Sequence, residues 1–302
     1  MLKNKFFSSS RTIIIGFASV ILIGTLLLML PISSKEGIVT PFLDCLFTAT
    51  SSTCVTGLVV YDTATHWSLF GQFLILFMIQ IGGMGVVTMS ILITMVSGKK
   101  INLMQRSTMQ ESISAHKVGG IIRLSRFIII TTAVIELLGA VALAFVFCPE
   151  YGPFKGLWMS LFHSVSAFCN AGFDLMGESA EFSSLTKYAY NPAVNIIVMT
   201  LIIVGGIGFL TWDDIKTNKW HLRRYRMQSK VIIFTTAILI IVPALYFFFF
   251  EFSDLTLGKR VLVSLFQSVT PRTAGFNTVD ASELSETGNV VVTTLMLIGG
   301  AP

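Results

Sequence analysis

Charge is what this sequence has least of. Only 12% of its 302 residues are Asp, Glu, Lys or Arg, about half the share of a soluble domain. A chain so poor in charge cannot cover itself with a water-facing surface, so it is read as embedded in a lipid bilayer. Cysteine is scarce as well. The four present (Cys45, Cys54, Cys148 and Cys169) show no CxxC spacing and no pairing with the four scattered histidines. That argues against a disulfide framework or a transition-metal site and predicts buried small thiols. No HExxH or GxSxG occurs, and His163 and Ser164, adjacent on a predicted helix, would point apart. The chain is therefore not read as an enzyme. No hydrophobic span is rich in arginine, which excludes a voltage sensor. No small-residue cleavage site follows the lysine-led apolar N-terminus, which is read as a retained first helix.

What is present is apolar. Hydrophobic residues make up 53% of the chain, 25 of them Phe, and the mean hydropathy is +0.78. Thr12 to Leu30 is long enough to cross a bilayer once and is ended by Pro31. Trp67 to Ser97, Leu124 to Phe147, Pro192 to Leu210 and Val231 to Phe250 read as further spans, and a last one starts at Val290. Between them lie three apolar runs too short to cross, Phe42 to Ala49, Leu157 to Phe168 and Val261 to Val269. Their length suits re-entrant helices.

Each short run is followed by a related loop: Thr53-Cys54-Val55-Thr56-Gly57, then Cys169-Asn170-Ala171-Gly172, then Arg272-Thr273-Ala274-Gly275. The three glycines are 115 and 103 residues apart, which marks a repeated unit. The return spans carry a second mark, Gly82-Gly83-Met84-Gly85, Gly205-Gly206-Ile207-Gly208 and Gly299-Gly300-Ala301. Such clusters permit close helix approach or a local break. The units are expected at 1–100, at 101–218 with a basic cytoplasmic loop leading it, and at 219–302, where the sequence ends inside the return helix.

Fifteen of the 21 lysines and arginines fall in Lys3 to Arg11, Lys99 to Arg126 and Lys216 to Lys230. These alternate with the short-helix loops, so the basic segments and the N-terminus are placed in the cytoplasm and the short helices enter from outside. Twelve of the 16 acids then lie outside, including Asp44, Asp62, Asp174, Glu178 and Asp280. An acidic vestibule would concentrate cations. The basic loops are read as topology signals, not as nucleic-acid contacts.

Irregular backbone at membrane depth is tolerated where it lines a water-filled path. Glycine at positive φ lets carbonyls turn to one axis, where they replace the hydration shell of a monovalent cation. The short helices aim their negative C-terminal ends at the same point. Thr53 and Thr56 could add hydroxyl oxygens. Arg272 would repel a cation from within the path, so it is expected behind its loop, bonded to backbone carbonyls or an acid. Glu136, in the middle of a span, is expected to be structural and paired, with a partner beyond this sequence.

The loops CVTGL, AFCNAGF and TPRTAGFN, in span–short helix–loop–span units, resemble the Trk/Ktr/HKT superfamily of potassium transporters. With QIGGMG and GGIGF, the nearest likeness is to the membrane subunit of bacterial Ktr-type uptake systems. The resemblance implies an all-α membrane protein of tandem helix–re-entrant pore helix–helix repeats around a central pore. Two repeats are complete here, the third is partial and the fourth is absent. It implies potassium uptake across the plasma membrane, stimulated by sodium, by a multi-pass homodimer seated on a cytosolic ring of nucleotide-binding regulatory subunits. No covalent cofactor is implied. Thr53, Cys54, Val55, Thr56, Gly57, Cys169, Asn170, Ala171, Gly172, Thr273, Ala274 and Gly275 would form the filter for K+, with Arg272 in support. In the family, glycine at position 57 accompanies potassium preference and serine accompanies sodium. A non-transporting membrane scaffold or sensor on the same fold is the alternative.

Overall fold

The structure is a computed structural model that describes residues 9–85, 88–89, 121–178, 180–219 and 221–299. The expected stretch of span up to Ser97, most of the basic segment Lys99 to Arg126, Lys3 to Ser8 and the residues after Gly299 lie outside those residues. Among the described residues the chain is helical, and its one β feature is an isolated bridge between Ser34 and Trp67.

The first helix, α1 (Ser9–Leu28), stops short of Pro31, which opens a single 3₁₀ turn. It is followed by α2 (Phe42–Thr53) and α3 (Leu69–Met84). The hydroxyl of Ser68 caps α3 by accepting from the Gly71 N–H at 3.2 Å, satisfying a donor that has no partner in the helix. A long helix, α4 (Ile121–Tyr151), leads into α5 (Pro153–Phe168), which begins with Pro at a first-turn position that needs no N–H. Asn191 caps α6 (Pro192–Gly206) through the Ala193 and Val194 N–H groups. After α7 (Phe209–Asn218) come α8 (Met227–Tyr246), which widens into a π turn at Phe247–Glu251, then α9 (Leu257–Val269) and α10 (Glu286–Ile298).

Among the described residues two helices are long and apolar enough to cross a membrane, Ile122–Tyr151 and Met227–Glu251, with mean hydropathies of 2.4 and 2.6. The expected span Pro192 to Leu210 is not one straight helix. It breaks after Gly206, and α6 and α7 meet at 94°. Gly208 sits at the break with φ +80° and ψ 150°, a region that essentially only glycine enters. Gly85 ends α3 in a similar way, with φ +81° and ψ 138°.

The short helices α2, α5 and α9 lie against the longer ones, and one apolar core threads through all three sets. Cys45, Ala49 and Trp67 contribute from the first, Phe147, Phe162 and Val198 from the second, and Phe266 and Phe276 from the third. In an apolar solvent such burial stabilises through close packing and not through removal from water. Outward-facing Phe145, Phe154 and Leu297 are mostly exposed, as an apolar solvent requires. The cysteines depart from expectation. All four are free, but only Cys45 is buried, while Cys54 is exposed and Cys148 and Cys169 are intermediate.

Candidate functional site

Each short helix ends where its loop begins. Cys54 and Cys169 close α2 and α5 in right-handed torsions, and their N–H groups return to the Thr50 and Val165 carbonyls at 2.8 and 2.9 Å. The next residue in both loops then turns left-handed, Val55 at φ +57° and Asn170 at φ +57°. Two residues on, Gly57 and Gly172 are positive again at +80° and +70°. The third loop repeats this with Thr273 at +74° and Gly275 at +80°. Positive φ is a genuine outlier for a β-branched residue such as Val or Thr, so its recurrence at the same place in separate loops shows that the conformation is imposed.

Alternation of torsion sign turns successive peptide planes in one sense, with the N–H groups on one side and the carbonyls on the other. The hydrogen bonds fix which side is which. The N–H groups of Val55 and Thr56 donate back to Ser52 and Ser51 at 3.3 and 2.8 Å, and those of Asn170 and Ala171 to Ala167 and Ser166 at 3.1 and 2.8 Å. The short helix thus takes these donors in both loops. In the third loop the Ala274 N–H reaches Thr270 at 3.0 Å, one residue nearer in sequence than in the other two. The tighter loop is locked by the Thr270 hydroxyl donating to the Phe276 carbonyl, as the Ser166 hydroxyl does to Phe173 at 2.6 Å.

The three loops meet. A Cβ on Gly57 would lie 2.6 Å from the Ala171 oxygen and 3.5 Å from the Gly172 Cα. A Cβ on Gly172 would lie 2.7 Å from the Ala274 oxygen and 2.9 Å from the Gly275 Cα. These glycines are required twice, by φ and by the neighbouring backbone. Above them lies a cavity of about 110 Å³, lined by the three glycines with Asp62, Asp174 and Asn277 among others.

The return-helix glycines explain how the loops are seated. A Cβ on Gly82 would overlap the Thr53 carbonyl oxygen, one on Gly205 the Phe168 oxygen, and one on Gly83 would lie 2.5 Å from the Cys169 Sγ. Both expectations for these clusters hold: the leading glycines allow close approach, and Gly85 and Gly208 end the helices. Gly299 is looser: a Cβ there would lie 3.6 Å from a Thr273 methyl.

Other expected residues fall in different places. Thr53 is fully buried and its hydroxyl has no partner among the described residues, while Thr56 is exposed. Arg272 is 6% exposed and points to α8, where it donates to the Thr236 hydroxyl at 3.3 Å. The carbonyl or acid partner expected for it is not found among the described residues. Glu136 does have partners within this sequence, against expectation: the Gln80 amide at 3.1 Å and the Cys169 thiol at 3.9 Å. His163 holds structure, with Nδ1 on the Met159 carbonyl at 2.7 Å and Nε2 accepting the Leu175 N–H at 3.3 Å. Ser164 instead donates to the Glu136 carbonyl at 2.6 Å.

The expected acidic vestibule is narrower than the acid count suggested. Asp44 accepts the Tyr61 hydroxyl, Glu178 pairs with Lys35 and Lys155, and Asp280 binds Ser282. Asp62 and Asp174 remain at the cavity over the glycines. Asp62 also ties the outer segments together, accepting from the Ala64 and Thr65 N–H groups on one oxygen and from Phe182 on the other. Burial, first, and the neighbouring Asp62 charge push the Asp174 carboxyl up to about 6, against hydrogen bonds from Met176 and Ser184. Sequence reasoning missed Gln80, Ser166 and Thr270. For Ser166 and Thr270 the one signal was recurrence of a hydroxyl residue ahead of the loop glycine (Ser51, Ser166, Thr270).

Residues 4–302 match the family model described as TrkH, cation transport protein. The potassium/sodium uptake protein NtpJ of Enterococcus hirae is 42% identical over 302 residues, 98% of this chain and 66% of that protein. The Ktr system potassium uptake protein B of Bacillus subtilis is 40% identical, over 98% and 66%. The chain thus spans about two thirds of the length of these relatives. The crystal structure of the potassium transporter TrkH from Vibrio parahaemolyticus superposes with a TM-score of 0.66 at 19% identity, covering 99% of this chain and 58% of that one. The superposition establishes the fold, and with the match over residues 4–302 the chain belongs to the TrkH family of cation transport proteins.

Proposed function

We propose that this chain forms part of a potassium uptake pathway across the plasma membrane, in which carbonyls of the Thr53–Gly57, Cys169–Gly172 and Thr273–Gly275 loops take the place of potassium's hydration shell. One observation carries the reading: three loops, each with two left-handed residues spaced by two, meet at their glycines. Their N–H groups bond back to the short helices, which leaves carbonyls and helix C-termini, both partially negative, at the meeting point. The geometry suits a dehydrated monovalent cation and offers nothing to an anion.

The finer architecture belongs to the same proposal. α2, α5 and α9 act as re-entrant pore helices in three tandem units around a central pore, with boundaries near residues 100 and 218. The N-terminus faces the cytoplasm. Arg272, turned toward Thr236, braces its loop from behind without entering the path. Sodium stimulation, a homodimeric assembly and a cytosolic nucleotide-binding regulatory ring belong to the proposal as what the resemblance of the loops implies. Among the relatives, one is named for potassium and sodium uptake and another as a protein of a Ktr system.

The test is potassium uptake in a bacterium lacking its own uptake systems, carrying the complete reading frame that contains this sequence, with and without sodium. Growth at limiting potassium, with uptake accelerated by sodium, is expected. A correctly inserted protein that leaves uptake at the level of the empty strain would refute the reading.

A further inference from the structure

Each proposed loop has a residue three places before its glycine: Cys54, Cys169 and Arg272. In the second and third units this residue reaches the first helix of its own unit. Cys169 meets Glu136 of α4, and Arg272 meets Thr236 of α8. In the first unit Cys54 is exposed.

The contact in the second unit is built from groups that cost the most to bury. Glu136 lies halfway along α4 and is 7% exposed. An ionisable side chain at such depth is expensive unless it is used. Among the described residues no lysine or arginine forms an ion pair with it. One oxygen accepts from the Gln80 amide at 3.1 Å, and the other lies 3.9 Å from the Cys169 Sγ, which is also 4.0 Å from the Gln80 amide oxygen. Three elements meet there: α3, α4 and the C-terminus of α5.

The cluster has little freedom. The Glu136 backbone is fixed to α5 by the Ser164 hydroxyl at 2.6 Å, and a side chain on Gly139 would lie on that same hydroxyl. Cys169 is held on its other side by Gly83. The next residue, Asn170, starts the left-handed turn at φ +57°. A backbone rotation at Cys169 therefore passes directly into the peptide units of Asn170 and Ala171.

We infer that Glu136 is a positioning residue for ion discrimination: with Gln80 it holds Cys169, and so fixes the turn that orients the second loop's carbonyls. This rests on the reading of the loops as an ion filter. Packing alone would be served by leucine or methionine at 136. The carboxyl supplies direction, because it must satisfy an amide donor and a thiol at once.

The experiment measures potassium and sodium flux into liposomes containing the protein from its complete reading frame. Glu136→Leu should lower the potassium-to-sodium flux ratio by about tenfold, the scale of one lost hydrogen bond to a charged or buried group. Glu136→Gln, which keeps an oxygen and the side-chain length, should retain most of the ratio. Gln80→Leu should lower the ratio as well, and the double variant should be no worse than the worse single one, since both remove one shared contact. Where Glu136→Leu does not fold, Cys169→Ser and Cys169→Val decide: a ratio kept by Ser and lost by Val supports the inference, and a ratio kept by both overturns it. Wild-type yield and melting temperature with an unchanged ratio in Glu136→Leu would also overturn it, by showing that the group only packs. A wild-type protein that passes neither ion refutes the filter reading and this inference with it, a different result from transport with an unaltered ratio.

Discussion

In the second loop the Ser166 hydroxyl closes onto the Phe173 carbonyl at 2.6 Å, whereas in the first loop Ser51, also six residues before the glycine, is buried with its hydroxyl unpaired among the described residues. The contrast runs further. Ala171, Gly172 and Phe173 are buried, and the residue three before the glycine is held by Glu136. In the first loop Cys54, Thr56 and Leu58 are exposed. Yet the backbone torsions agree closely, with left-handed residues at 55 and 57 and at 170 and 172. One backbone conformation is thus reached with very different amounts of support. The torsions follow from the helix C-terminus, the bonds back to it and the glycine, while the surroundings decide how firmly they are kept.

The largest effect should come from removing the seat beneath the second loop. In Gly205→Ala the new methyl would overlap the Phe168 carbonyl oxygen, while in Gly206→Ala it would be 3.2 Å from the Asn170 side-chain amide, which can give way. Overpacking against backbone costs about 1–3 kcal/mol or more, so Gly205→Ala should abolish correctly folded protein in detergent and Gly206→Ala should not. Equal yields from the neighbouring variants would show that the loop is not seated on α6.

Next come the loop glycines themselves. Gly172→Ser meets two backbone atoms within 3 Å and a strained φ, Gly57→Ser one, and Gly275→Ser none, its nearest atom being the Gly172 Cα at 3.1 Å. Left-handed strain costs about 1–2 kcal/mol at each position, and displaced neighbours add to it. Potassium affinity, read from uptake kinetics, should fall in the order Gly172→Ser, Gly57→Ser, Gly275→Ser, by about tenfold per 1.4 kcal/mol. If Gly275→Ser proves the most damaging, the close approach between loops is not what limits selectivity.

The hydroxyl pair sharpens the comparison on a smaller scale. Ser166→Ala leaves the Phe173 carbonyl without its donor and should cost about 1–3 kcal/mol. Ser51→Ala removes a buried hydroxyl that has no partner among the described residues, and should be neutral or slightly stabilising. Paired melting curves in the same detergent give the answer, and a loss at Ser51 as large as at Ser166 would remove the distinction between the loops.

Much of this was legible in the sequence. Apolar run lengths gave the long α4 and α8 and the short α2, α5 and α9, and the spacing of Gly57, Gly172 and Gly275 marked the loops. In the span expected from Trp67 to Ser97, by contrast, α3 runs only to Met84 before Gly85 ends it. Boundaries moved by about a turn: Pro153 and Leu257 start their helices four residues before the apolar runs do. The break at Gly208 was open as one of two outcomes, because a glycine cluster reads the same whether it packs or bends. Side-chain partners were out of reach. Glu136 meets Gln80, 56 residues away, and Arg272 meets Thr236, 36 away. Such contacts depend on helix rotation about the axis, which runs that are apolar all round leave undetermined.

The smallest expected effect lies at the outer mouth, where the loops share a single cavity and their difference should vanish. Asp174 belongs to the second loop's exit and lies in the cavity that Gly57 and Gly275 also line. Its carboxyl is raised from 3.8 to about 6, chiefly by burial. The folded state therefore binds this proton more tightly than the unfolded chain does. The stability it contributes is fully present below the unfolded value and lost as pH rises through about 6. Between pH 7 and pH 5 the gain should be about 1 kcal/mol, seen as a rise in melting temperature that Asp174→Asn abolishes. Transport should move the opposite way. Protonation removes a negative charge from above the glycines, so potassium uptake should weaken a few-fold over the same interval, through apparent affinity more than through maximal rate. Asp174→Asn should hold uptake at the low-pH level throughout, because its amide is neutral at every pH. If Asp174→Asn keeps the wild-type pH dependence in both measurements, the titrating group is elsewhere, and the cavity over the glycines has no electrostatic part in capturing the ion.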